Sequence, residues 1–99
     1  MLEYHVYGHE KPLHRNSISY LQEHIIEANR QGFESMTVHD IEDFVKSAFD
    51  YFKAKGYEVE RHLEEIELGP DDVMTIEEIE ISWDRDILSL RKDDIYVTG

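Results

Sequence analysis

Cysteine is absent from this 99-residue chain. That excludes a disulfide framework, a thiolate nucleophile and any cysteine-based zinc site. Proline occurs twice and glycine five times, and no segment reads as a linker or a low-complexity tract. No apolar run approaches the ~20 residues of a membrane-spanning helix. The N-terminal Met-Leu-Glu-Tyr-His-Val-Tyr has neither the basic start nor the apolar stretch of an export signal. These absences predict a soluble, cytoplasmic protein forming one domain over residues 1–99. Positive charge is scarce as well. Ten Lys and Arg stand against 23 Asp and Glu, a net of −13, and the longest basic run is Arg91-Lys92. Phosphate neutralisation is the main source of non-specific nucleic-acid affinity, so direct nucleic-acid binding is not expected, nor is binding to an anionic membrane.

What is present is enough for a core and is unevenly charged. The apolar fraction is 40%, with six Tyr, four Phe and one Trp, richer than a disordered acidic tail. Residues 1–57 carry a net of −3, and residues 58–99 a net of −10. Between Glu58 and Asp86, twelve carboxylates face only Arg61 and Arg85. A folded segment of that kind repels anions and attracts a basic protein surface.

Periodicity gives the elements. Leu2, Tyr4 and Val6 alternate with polar partners, as in a short strand ending at Gly8. Asn16 or Ser17 caps a helix whose apolar face is Ile18, Leu21, Ile25 and Ala28, and Gly32 stops it. Thr37 and Asp40 stand at capping-box spacing before a second helix with the stripe Val38, Ile41, Val45, Ala48 and Phe52. Gly56 ends that helix, and the period becomes two at Tyr57. Residues 57–68 and 73–83 read as a hairpin turning through Gly69-Pro70-Asp71-Asp72. Changes of apolar phase predict bulges near Glu64–Glu65 and Glu77–Glu78. Two short strands follow at 87–91 and 95–98. The expected fold class is α+β: a small antiparallel sheet, in the order β-α-α-β-β-β-β, with both helices packed on one face.

Chemical motifs are few. There is no nucleophile-elbow sequence and no phosphate-binding glycine loop, so no catalytic residue is assigned. His5, His9 and His14 cluster in sequence near Glu3 and Glu10. Gly8 and Pro12 break the helical spacing that a paired-imidazole site uses. His24, His39 and His62 stand on separate elements. The acids around 69–72 and 84–86 do not match a calcium loop. No metal ligand and no cofactor are therefore expected.

The remaining candidate is the acidic hairpin as a recognition surface: Glu58, Glu60, Glu64, Glu65, Glu67, Asp71, Asp72, Glu77, Glu78 and Glu80. Same-face residues of a strand repeat at ~6.6 Å, about half the linear charge density of one DNA strand, and two adjacent acidic strands approach it. The partner expected is a basic, nucleic-acid-binding protein, with Tyr57, Trp83 or another exposed aromatic residue as anchor. In being small, cysteine-free and strongly negative, the chain resembles the acidic inhibitors encoded by phages and mobile elements. The resemblance is one of composition and implies an anti-defence inhibitor that mimics DNA. Two other functions fit the same sequence: a small metal-dependent or acid–base enzyme using the N-terminal histidines, and a subunit or assembly factor of a larger complex.

Crowded carboxylates carry a measurable consequence. Moderate sodium chloride is expected to raise the thermal unfolding midpoint, since screening over ~8 Å weakens repulsion within 58–86. A midpoint that falls across the same salt series would assign the balance to attractive ion pairs.

Overall fold

The computed structural model describes residues 3–84. Strand β1 (His5–Tyr7) leads through a 3-10 turn and a loop into α1 (Ser17–Arg30). Asn16 caps this helix, its side-chain oxygen accepting from the Ile18 N–H at 2.8 Å. At the other end Gly32 adopts φ 97°, and the Phe33 N–H donates to the Ala28 carbonyl at 2.9 Å, closing the helix as its glycine predicts.

Strand β2 (Ser35–His39) follows, then a 3-10 turn, α2 (Lys46–Ala54), β3 (Glu58–Gly69) and β4 (Asp72–Ser82). The sheet order is β1-β2-β4-β3. The α+β class is as expected, with the hairpin at the expected place and Gly69 opposite Asp72 at its turn. The sheet is mixed rather than wholly antiparallel. α1 forms a crossover between β1 and β2, which makes that pair parallel. The strands expected at 87–91 and 95–98 lie outside the described residues.

β2 itself is a departure from the sequence reading, which places 38–52 in one helix. Val38, Ile41 and Val45 satisfy a helical period, but Met36 and Val38 also satisfy alternation. Alternation prevails because it buries both, at 1% and 0% exposure, between β1 and β4. Asp40 then turns the chain with φ 54°, so it is no capping-box residue. α2 begins only after Val45, which stands 57% exposed at the cap. Of the expected stripe, Ala48 and Phe52 are buried, Ile41 is partly buried, and Val45 is not.

Both helices cover one face of the sheet. Val6, Met36, Val38, Ile79 and Ile81 meet Leu21, Ile25, Ala28 and Phe52 in one buried cluster. Tyr57 and Trp83 belong to it, at 5% and 6% exposure, and the Trp83 indole N–H donates to Asn29 at 3.3 Å. They are core residues, not the surface anchors expected. A Cβ at position 8 would meet the Asp40 carbonyl oxygen at 2.2 Å, so the two 3-10 turns pack closely only because Gly8 has none. No helix among the described residues is long and apolar enough to cross a membrane.

Phe52 is fully buried and its ring meets Tyr57 edge-on at 5.4 Å. Phe52→Ala is expected to cost about 3–5 kcal/mol in urea unfolding. A loss below roughly 1 kcal/mol would show that this face is not the core.

Candidate functional site: an acidic hairpin arm

β3 and β4 pair without interruption from Glu58/Ser82 to Glu67/Val73. β2 pairs with β4 only over residues 79–82. Beyond that point, residues 62–78 form a two-stranded arm that projects about 25 Å at the rise of a β-strand. The molecule measures 58 × 32 × 22 Å with a radius of gyration of 15.3 Å, larger than the ~13 Å of a compact domain of this length. The arm carries seven carboxylates and neither Lys nor Arg.

Strand parity distributes the acids. Glu58, Glu60, Glu64, Glu78 and Glu80 fall on the face away from the helices, Glu65, Glu67 and Glu77 on the opposite face, and Asp71 and Asp72 at the tip. The acids thus surround the arm instead of lining one side. Glu77 leaves the display by pairing with Arg61. Direct acid–acid opposition occurs once in the ladder, at Glu60/Glu80. Elsewhere Glu64 faces Ile76, Glu65 faces Thr75 and Glu67 faces Val73. The repulsion that like charges cause across a ladder is therefore largely avoided.

The expected bulges at Glu64–Glu65 and Glu77–Glu78 are absent; the one irregularity lies between Glu67 and Gly69. The change of apolar phase has another cause. Within the body, Val59, Ile79 and Ile81 point to the helices. On the arm, where no helix lies beneath, Ile66, Met74 and Ile76 occupy the opposite face. Leu63, Leu68, Val73 and Met74 are 46–60% exposed, so apolar side chains are interleaved with the acids.

The open face of the body holds imidazoles that the sequence leaves scattered. His5 and His39 are joined by a ring-nitrogen hydrogen bond of 2.8 Å, and Tyr7 stacks on His39 with centroids 4.7 Å apart. Glu78 lies 3.3 Å from His39 Nδ1. That carboxylate favours the proton on Nδ1, leaving Nε2 of neutral His39 to accept from His5. His62 Nε2 lies 3.7 Å from both Glu60 and Glu80. His5, His9 and His14 are not gathered together: His9 instead donates to Asp40. That hydrogen bond, with the negative charge of Asp40 behind it, pushes the His9 pKa up. The signal that could have found the open-face set is alternation itself, since His39 follows buried Val38 and His62 shares parity with Glu60. The alignment across strands depends on sheet order, which no local pattern carries.

A groove of about 720 Å³ lies between α2 and the root of the hairpin. Lys46, Lys53 and Arg61 balance Glu42, Asp50 and Glu77 along it, so it lacks the single sign of the arm. No family model, curated protein or solved structure matches the chain.

His24 gives a test of the interior edge. It is half-buried and bonded to the Tyr4 hydroxyl at 2.9 Å. Burial pushes its pKa below 6.5, outweighing the opposing charges of Glu23 and Glu10. Below that value the unfolded chain binds more protons, so this contribution to stability is complete above pH ~6.5 and is lost as pH falls through the folded pKa. An NMR titration should place the His24 midpoint below 6.5 and that of His9 above it. A His24 midpoint above 6.5 would refute the burial argument.

Proposed function

We propose that the protein is a non-enzymatic binding protein whose arm enters a basic, nucleic-acid-binding groove of a partner protein and blocks it. The observation that carries this reading is the arm itself. Of the seven carboxylates on 62–78, Glu77 is paired with Arg61, and the other six, spread over about 25 Å, give about one charge per 4 Å. That is close to the ~3.4 Å per phosphate of one DNA strand. A two-stranded ribbon with no layer against it is marginal by itself, and the exposed Leu63, Leu68, Val73 and Met74 would be covered on docking. Acidic groups supply steering and register, and the aliphatic side chains supply the desolvated contact. On this reading the protein is an inhibitor that mimics DNA, in the manner of phage anti-defence proteins.

The same aliphatic side chains also favour the second reading, a subunit of a stable assembly. Salt separates the two: steering by charge fades with ionic strength, whereas an apolar interface persists.

Affinity capture from host lysate at low salt, followed by DNA competition, tests the proposal. Glu64→Lys with Glu67→Lys reverses charge on both faces of the arm. Like-charge contact costs several kcal/mol, so binding should weaken by roughly 100-fold or more. Glu23→Lys with Glu27→Lys on α1 makes the same change in net charge and should have little effect. On the surface of α1 those two acids pair with Arg15 and Arg30, and Glu27 also accepts from Gln31. Equal binding by the arm variant and the parent, with no competition by DNA, would leave the acidity as a solubility device.

A further inference from the structure

We infer that Glu60, His62 and Glu80 form a binding site for a divalent transition-metal ion, with zinc as the natural probe. This departs from the sequence reading, which assigns no metal ligand, and it stands independently of the proposed docking function.

Among the described residues, these three are the one set of His and carboxylate side chains whose ligand atoms lie within 4.8 Å of one another. Three features go beyond an acidic patch. First, the imidazole Nε2 sits between the carboxylates, 3.7 Å from an oxygen of each. Zinc bonds of ~2.0–2.1 Å in a tetrahedron place neighbouring ligand atoms roughly 3.4 Å apart. Side-chain rotations of exposed Glu60 and His62 and half-buried Glu80 bring the three ligand atoms from within 4.8 Å to that spacing. Second, the backbone fixes the set. Glu60 and His62 share a face of β3 at i and i+2, Glu80 is paired directly opposite Glu60, and Thr37 of β2 pairs with Glu80 from the other side. Third, Glu60/Glu80 is the one place where the ladder sets two acids opposite each other, a destabilising arrangement unless a cation lies between. Two carboxylates and a neutral imidazole carry two negative charges, which a divalent ion neutralises.

Mixed nitrogen and oxygen donors suit zinc, manganese, iron and cobalt better than magnesium or calcium, which favour all-oxygen shells. Three protein ligands on an open face leave the remaining positions to water. The ion would clamp β3 to β4 at the root of the arm and leave the seven carboxylates of 62–78 in place.

The test uses the full chain, expressed without a polyhistidine tag and stripped with chelator, titrated with zinc chloride by calorimetry. The expected result is saturable binding of one zinc per chain, with a rise in the thermal unfolding midpoint. His62→Gln and Glu80→Gln should each weaken binding by roughly tenfold or more. His39→Gln and His9→Gln should leave it within about twofold. The His62 imidazole resonances should move on adding zinc, which reports the site even if a variant folds poorly. The proposal is overturned if no saturable binding is seen, or if binding survives His62→Gln. It is equally overturned if binding is lost in His39→Gln while the His62 resonances stay fixed. In that case His62 is a protonated bridge between two carboxylates, or zinc sits on the His5–His39 pair.

Discussion

The pairing of β4 decides most of this structure. Over residues 79–82 the strand is bonded on both sides, to β2 and to β3. In the same stretch Ile79 and Ile81 are buried beneath the helices. That doubly paired, half-buried segment holds an otherwise marginal ribbon in register. The direction of β4 carries the chain from the arm tip back into the core, where Trp83 closes the end of the sheet. The open face, the arm and the imidazole row all inherit their positions from it.

One-sided burial then separates two tasks. The covered face is apolar and continuous from β1 to β3, and it accounts for cohesion. The uncovered face is free to hold charge and imidazole in any arrangement the ladder tolerates. Ladder neighbours set acid against acid at one pair alone, so the negative charge of the hairpin adds little strain where strands meet. The exception, Glu60/Glu80, coincides with His62. An imidazole there lowers the repulsion when protonated and offers a ligand nitrogen when neutral.

Local signals in the sequence were informative where local chemistry decides the outcome. Asn16, Gly32 and Gly56 mark helix ends through backbone geometry that few other residues supply, and all three act as expected. The hairpin was legible because alternation begins abruptly after Gly56 and resumes across a proline turn. β2 was obscured because residues 36–45 satisfy two periods at once, and only tertiary burial chooses between them. The phase change along the hairpin resembled a bulge, yet it marks where the supporting layer ends. The acids of the candidate site could be named from composition, and parity assigned their faces. Tyr57 and Trp83 misled because aromatic residues beside an acidic segment serve a core as readily as a surface. The imidazole row was invisible because it joins β1, β2 and β3, which lie far apart in sequence.

β3 has an unpartnered flank among the described residues, since the sheet order places it at the margin. Along its twelve residues, every second one turns its backbone N–H and C=O to the open side, a template for strand addition. Glu58, Glu60, Glu64, Glu65 and Glu67 guard that flank, because an incoming copy of the same strand meets like charge along its length. The guard depends on ionisation. Without that charge, the same strand is an open edge with aliphatic side chains beside it. The carboxylates of β3 thus set like charge against the pairing of a second copy along its open edge.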